Sequence, residues 1–116
     1  MTKNFKREDF NCKCGCGLNN ISMLLVELLQ EARDELVYPI TISSGCRCES
    51  HNKHVGGKPE SEHLIGLGVD VGCHTSQYRY LILPLLLKRF NRVGIGSNFI
   101  HIGIDKFKPQ DVVWIY

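Results

Sequence analysis

Apolar residues recur at helical spacing from Ile21 to Leu36, with charged and amide side chains on the opposite face. This pattern predicts an amphipathic helix that packs one face on a core. A second helix is predicted from Thr75 to Phe90. Pro84 should kink or split it, because proline lacks the N–H that the helix ladder needs. The first helix carries no evident chemistry and is expected to be scaffold.

Short apolar segments predict five strands. They are Ile40–Ser43, Leu67–Val71, Arg92–Ile95, Phe99–Ile104 and Val112–Ile115. Residues 45–59 are polar and rich in glycine, asparagine and lysine. They predict a long surface loop, which in a small domain is often functional. The order of the elements favours an α+β domain with one antiparallel sheet and flanking helices.

Length and charge limit the number of domains and the classes of function that the chain can have. The chain has 116 residues, of which 43% are hydrophobic, and a formal net charge of +2. We expect one domain spanning residues 1–116, monomeric and able to bury its own core. Acidic and basic residues are interspersed, whereas a nucleic-acid-binding protein would carry a basic stripe. The longest apolar run, Leu81 to Leu87, is too short to span a membrane.

The first nine residues lack the apolar segment of a signal peptide. Synthesis in the cytoplasm is therefore expected. If the protein acts on a cell wall, a lysis pathway has to release it.

Five of the six cysteines lie in two clusters. They are Cys12, Cys14 and Cys16 in one cluster and Cys46 and Cys48 in the other. Without a signal peptide, such clusters indicate metal binding or reduced thiols more than a disulfide scaffold. The five thiols are enough for a structural zinc site. Two disulfides and five idle thiols are the alternatives.

Two histidines and one aspartate are candidate metal ligands. His63 precedes the predicted strand that contains Asp70, and His101 lies in an alternating strand. Two imidazoles and one carboxylate are a known catalytic zinc set, in which the fourth position is left for water or substrate. Spacing alone leaves open that His63 is an exposed loop residue and His101 a core histidine.

A linked set of motifs supports the metal interpretation. The set is Ser44-Gly45-Cys46-Arg47, then Ser61-x-His63-x-x-Gly66-x-Gly68-x-Asp70, then His101 in a strand. In this order the motifs resemble the zinc D-alanyl-D-alanine carboxypeptidase family, whose fold is shared with the hedgehog signalling domain. The resemblance covers most of the chain, since residues 10–17 also resemble the opening of small phage-encoded members of the family.

The resemblance implies a Zn²⁺ ion at His63, Asp70 and His101 and a peptidoglycan peptide as substrate. The ion would polarise the scissile carbonyl and activate water near neutral pH. Arg47 would hold a substrate carboxylate or carbonyl, and Ser61 would also lie at the substrate. A guanidinium suits this task because it is a planar, permanently charged fork. Apart from the resemblance, a structural zinc held by the two cysteine clusters would anchor Cys46 and Cys48 and so help to position Arg47, which lies between them.

The pattern departs from the family at the general base. Family members commonly carry a carboxylate three residues before the last histidine, where this chain has Asn98. An amide can orient water but cannot accept its proton. Glu60, Glu62 and Asp105 are replacement candidates. The sequence thus predicts a zinc peptidase acting on D-alanine-containing bonds. The alternatives are a zinc-containing binding module with little turnover and a structural phage component.

Overall fold

The computed structural model describes all of residues 1–116. It contains three α-helices, five strands and two short 3₁₀ helices. The helices are α1 (Met23–Glu35), α2 (Glu49–His54) and α3 (Ser76–Leu87), and the 3₁₀ helices are Arg7–Phe10 and Glu62–Ile65. The strands are β1 (Ile42–Ser44), β2 (Gly68–Gly72), β3 (Arg92–Ile95), β4 (Phe99–Gly103) and β5 (Val112–Ile115). The predicted α+β class is confirmed.

The five strands form one sheet in the order β1-β2-β4-β3-β5. Three of the four pairs are antiparallel, and β5 runs parallel to β3 at the edge. The sheet is therefore mostly antiparallel, as expected, with one parallel pair at its edge. After β4 the chain crosses to the far side of β3 before β5 begins. Strand β5 therefore runs opposite to β4 and in the same direction as β3.

Strand alternation gives the sheet two different faces. One face carries Val69, Val71, Ile100 and Ile102, which are fully buried against the helices. From α1 and α3 the core receives another set of buried side chains: Leu25, Val26, Leu29, Ala32, Ile82 and Leu86. Residues with the opposite parity on β2 and β4 point to the other face, where polar groups can meet away from the core.

Two local expectations need correction. The predicted loop 45–59 contains the six-residue helix α2, which begins after Cys48. Hydrophobic periodicity could not indicate this helix, because Asn52 is its only buried residue. Helix α3 continues through Pro84 to Leu87 without a break. None of the helices has the length and hydrophobicity needed to cross a bilayer.

Candidate metal centre

The register of β2 and β4 places two candidate ligands side by side. Asp70 and His101 are direct partners across the antiparallel pair, so their side chains share one face of the sheet. His63 reaches the same point from the 3₁₀ helix that precedes β2. Asp70 Oδ1 lies 3.1 Å from His63 Nε2 and 2.9 Å from His101 Nδ1. The fold thus brings the three predicted ligands together.

The outward nitrogen of each imidazole meets an acceptor. His63 Nδ1 lies 2.7 Å from the backbone oxygen of Gly45, and His101 Nε2 lies 2.9 Å from Glu62 Oε1. A carbonyl and a carboxylate accept hydrogen bonds, which assigns a proton to each outward nitrogen. The inward nitrogens, His63 Nε2 and His101 Nδ1, then offer lone pairs next to Asp70. This is the arrangement that metal-ligating histidines commonly show.

The donor set fits a zinc ion. Two lone-pair nitrogens facing a carboxylate repel one another unless they share a cation, and two imidazoles with one carboxylate form a usual catalytic zinc set. Burial alone would raise the pKa of Asp70, but the neighbouring imidazoles of His101 and His63 favour its charged form and hold the pKa well below its ordinary value. Burial would lower the pKa of His101, but Asp70 and Glu62 raise it. Both directions mean that Asp70 is ionised and that positive charge beside it is stabilised.

Glu62 is buried behind His101 and is held at both carboxylate oxygens. Oε1 accepts from His101, while Oε2 lies 3.0 Å from Arg92 Nε and accepts from the backbone N–H of Asp105 at 3.1 Å. Burial opposes its ionisation, but these donors lower the pKa of Glu62 below its ordinary value. A carboxylate stabilised in this way is a poor proton acceptor. Its position suits it to orient His101.

Arg47 lies beside the metal ligands. Its Nη2 is 3.3 Å from Asp70 Oδ2, Nη1 donates to Asn52 Oδ1 at 3.2 Å, and Nε donates to Ser44 Oγ at 3.0 Å. A guanidinium has five N–H donors. These three contacts fix the plane of the side chain and leave two N–H groups for a ligand in the cavity.

A cavity of about 510 Å³ opens over the three ligands. Trp114 on β5 forms part of its wall, because Gly94 on β3 has no side chain and leaves room for the indole. The indole centre lies 5.6 Å from the His101 ring, and Arg92 stacks on the indole at 5.1 Å. The sequence interpretation missed Trp114 and Arg92. The only signal for Trp114 was Gly94, which lies opposite it on β3 and can be recognised only once the strand pairing is known.

The remaining candidate site residues differ in whether they line the cavity. Glu60, Glu62 and Ser61 line the cavity, whereas Asn98 and Asp105 do not. Asn98 is exposed in the turn before β4, and its backbone oxygen accepts a hydrogen bond from the N–H of Cys73. Ser61 Oγ caps the 3₁₀ helix by accepting from the His63 N–H at 3.2 Å. The exposed carboxylate of Glu60 has no hydrogen-bond or ion-pair partner within the protein.

Four of the five clustered cysteines meet at one point. The sulfur atoms of Cys12, Cys14, Cys16 and Cys48 all lie within 4.8 Å of one another. The expected fifth member, Cys46, is buried elsewhere, with its thiol 3.8 Å from Asn19 Oδ1. Cys46 packs in the hydrophobic core, whereas Cys48, two residues later, is only partly buried and caps α2 beside the cluster.

The site defines a class of protein: a metal centre of two histidines and one aspartate in an open cavity, beside a fixed arginine. This arrangement is typical of a metallopeptidase. The Peptidase M15 family model matches residues 3–105. The chain therefore belongs to the peptidase M15 family of zinc metallopeptidases, and the resemblance to zinc D-alanyl-D-alanine carboxypeptidases is confirmed. No curated protein matches the chain.

Proposed function

We propose that this protein hydrolyses a D-alanine-containing peptide bond in peptidoglycan stem peptides, with zinc held by His63, Asp70 and His101. The convergence of these side chains on one carboxylate oxygen, Asp70 Oδ1, carries the proposal. Zinc in such a site supplies Lewis-acid polarisation of the scissile carbonyl and activates water for attack. Whether a terminal or an internal bond is cleaved depends on how the cavity accepts the peptide.

The residues around the ligands prepare the site before substrate arrives. Gly45 and Glu62 hold the outward protons of His63 and His101, so both inward nitrogens stay available as ligands. Arg47 neutralises part of the charge on Asp70 and lines the cavity with two N–H donors that have no partner within the protein. Such preorganisation removes the need to rotate dipoles during the reaction.

The cavity wall favours a peptide with a free carboxylate. Four cationic side chains, Arg47, Lys58, Arg92 and Lys108, line it together with three carboxylates, of which Asp70 pairs with Arg47 and Glu62 pairs with Arg92. A stem peptide that ends in D-alanine presents a carboxylate next to the scissile bond, which a guanidinium can bind in a forked geometry. The aromatic rings of Phe99, Trp114 and Tyr116 supply apolar surface for small side chains. The methyl groups of alanine residues suit this surface.

Glu60 is the proposed general base. It lines the cavity and lacks a partner, so its carboxylate is free to take a proton from the attacking water and deliver it to the leaving amine. Glu62 is occupied by His101 and Arg92, and Asp105 lies outside the cavity. This assignment replaces the carboxylate that the family commonly has at the position of Asn98.

The test is digestion of purified peptidoglycan by the zinc-loaded protein, with new amines and free D-alanine measured over time. The wild type should release both, and His101→Ala should release neither. Glu60→Gln should slow release by about 10²- to 10⁴-fold, the usual contribution of a general base. Glu27→Gln is the matched control, because Glu27 is exposed on α1 away from the cavity, and it should keep wild-type activity.

The outcomes separate enzyme from binding module. Equal release by the wild type and His101→Ala would contradict catalysis at this centre. Retention on cell walls without any release would favour a zinc-containing binding module, which the amide at Asn98 makes the second candidate. If the protein neither releases products nor is retained on cell walls, a structural phage component is the remaining function. For an active enzyme, we propose cytoplasmic synthesis and release to the wall by a lysis pathway.

A further inference from the structure

A cluster of four thiols lies outside the cavity of the histidine centre. Cys12, Cys14 and Cys16 come from the segment after the first 3₁₀ helix, and Cys48 comes from the residue that caps α2. The Cys12 and Cys14 sulfur atoms are 3.5 Å apart, and those of Cys14 and Cys48 are 3.7 Å apart. The cluster thus brings together sulfur atoms of residues separated by 34 positions in the chain.

These separations match a tetrahedral metal site. A zinc–sulfur bond of about 2.3 Å gives a sulfur–sulfur edge of roughly 3.8 Å in a regular tetrahedron. A disulfide requires about 2.05 Å, far shorter than either measured separation. Four thiolates are a usual ligand set of structural zinc sites, and soft sulfur ligands favour such an ion over magnesium or calcium.

The backbone around the cluster is built to support thiolates. The N–H groups of Cys48, His51 and Leu18 point to the sulfur atoms of Cys12, Cys48 and Cys16 at 3.4, 3.3 and 3.5 Å. Hydrogen bonds from N–H groups to ligating sulfur are the outer support that metal sites commonly have. In addition, Gly15 and Gly17 adopt left-handed backbone conformations, with φ of +83° and +86°, which let the segment 12–17 wrap around the cluster.

We propose that Cys12, Cys14, Cys16 and Cys48 bind a structural zinc ion, separate from the ion at the histidine centre. It joins the N-terminal segment to the start of α2. Cys48 directly follows Arg47, and Gly45 in the same segment holds His63 Nδ1. The structural ion thereby fixes the segment 45–48 that positions both a metal ligand and the substrate-binding arginine.

Metal analysis of protein purified under reducing conditions tests the proposal. The wild type should contain two zinc ions per chain. The double variant Cys14→Ser/Cys16→Ser should contain one, since both side chains are exposed and their replacement leaves the core intact. The double variant His63→Ala/His101→Ala should also contain one. Cys73→Ala is the matched control, because this thiol is buried away from the cluster, and it should retain two.

Cobalt substitution identifies the ligands independently of activity. Cobalt bound to thiolates gives intense near-ultraviolet charge-transfer absorption, which histidine and carboxylate ligands do not give. This absorption should persist in His63→Ala/His101→Ala and disappear in Cys14→Ser/Cys16→Ser. Thiol titration that finds disulfides in the reduced preparation would overturn the proposal. So would one zinc ion in both wild type and Cys14→Ser/Cys16→Ser, or the colour of an iron–sulfur cluster. None of these results depends on peptidase activity.

Discussion

At the scale of single residues, Glu62 and Gly103 share one space beside His101. A side chain added at position 103 would overlap the Glu62 carboxylate, so glycine there leaves the room that the glutamate fills. Gly68 on β2 has a similar role, since an added Cβ would lie 2.6 Å from the Glu62 Cβ and 2.8 Å from the His101 ring. Small residues on two strands therefore make the pocket for the orienting carboxylate.

This shared space predicts an effect of Gly103→Ala on metal binding. The new methyl group should displace Glu62 from His101, and zinc affinity at the histidine centre should fall by about 10- to 100-fold. Competition with a chelator measures this, in the Cys14→Ser/Cys16→Ser background so that only the histidine centre contributes.

A double-mutant cycle supplies the control. Glu62→Gln should also weaken zinc binding, and Glu62→Gln/Gly103→Ala should bind about as weakly as the weaker single variant, because both changes act through one contact. Additive losses, or unchanged affinity in Gly103→Ala, would show that Glu62 does not orient His101.

At the scale of elements, the helix with strong periodicity was the most predictable part. The segment Ile21–Leu36 was predicted to be helical, and α1 covers Met23–Glu35. Leu25, Leu29 and Ala32 are buried at the spacing that indicated the helix, whereas Leu24 of the predicted apolar face is exposed and Val26 is buried in addition. By contrast, α2 forms because Cys48 Sγ accepts from the His51 N–H and Asn52 packs inside, contacts that polar residues form only in the assembled fold.

The burial of α1 predicts a large effect of one core leucine. Leu29 is fully buried between the helix and the sheet. Leu29→Ala should lower the free energy of unfolding by about 2–5 kcal/mol, from lost burial and the cavity left behind. Urea denaturation measures the change. Leu24→Ala on the same helix is the control, because Leu24 is 56% exposed, and its effect should stay within about 0.5 kcal/mol. Equal effects of the two variants would contradict this packing.

At the scale of the whole molecule, the histidine centre joins elements far apart in the chain. His63 precedes β2, Asp70 lies within it, and His101 comes from β4, the central strand of the sheet. An ion that binds these residues only in the folded state adds stability by mass action. Metal content and folding stability are therefore linked.

Metal removal should consequently lower the melting temperature of the protein. Free zinc at about 100 times the dissociation constant of a site should add about 2.7 kcal/mol to the free energy of unfolding for that site. Thermal unfolding with increasing zinc measures this. A variant that combines His101→Ala with Cys14→Ser/Cys16→Ser should not respond. A wild type whose melting temperature is the same with zinc and with chelator would contradict the linkage.

The sequence by itself determined the α+β class, most elements, the family and the metal-ligand candidates, because periodicity and spaced motifs are local properties of the chain. Tertiary structure decided what depends on distant partners. It set β5 parallel to β3, placed Trp114 over Gly94, and moved Glu62 from candidate base to support for His101. It also separated Cys46 from the other four cysteines. Strand register and burial set these contacts, and neither can be read from spacing along the chain.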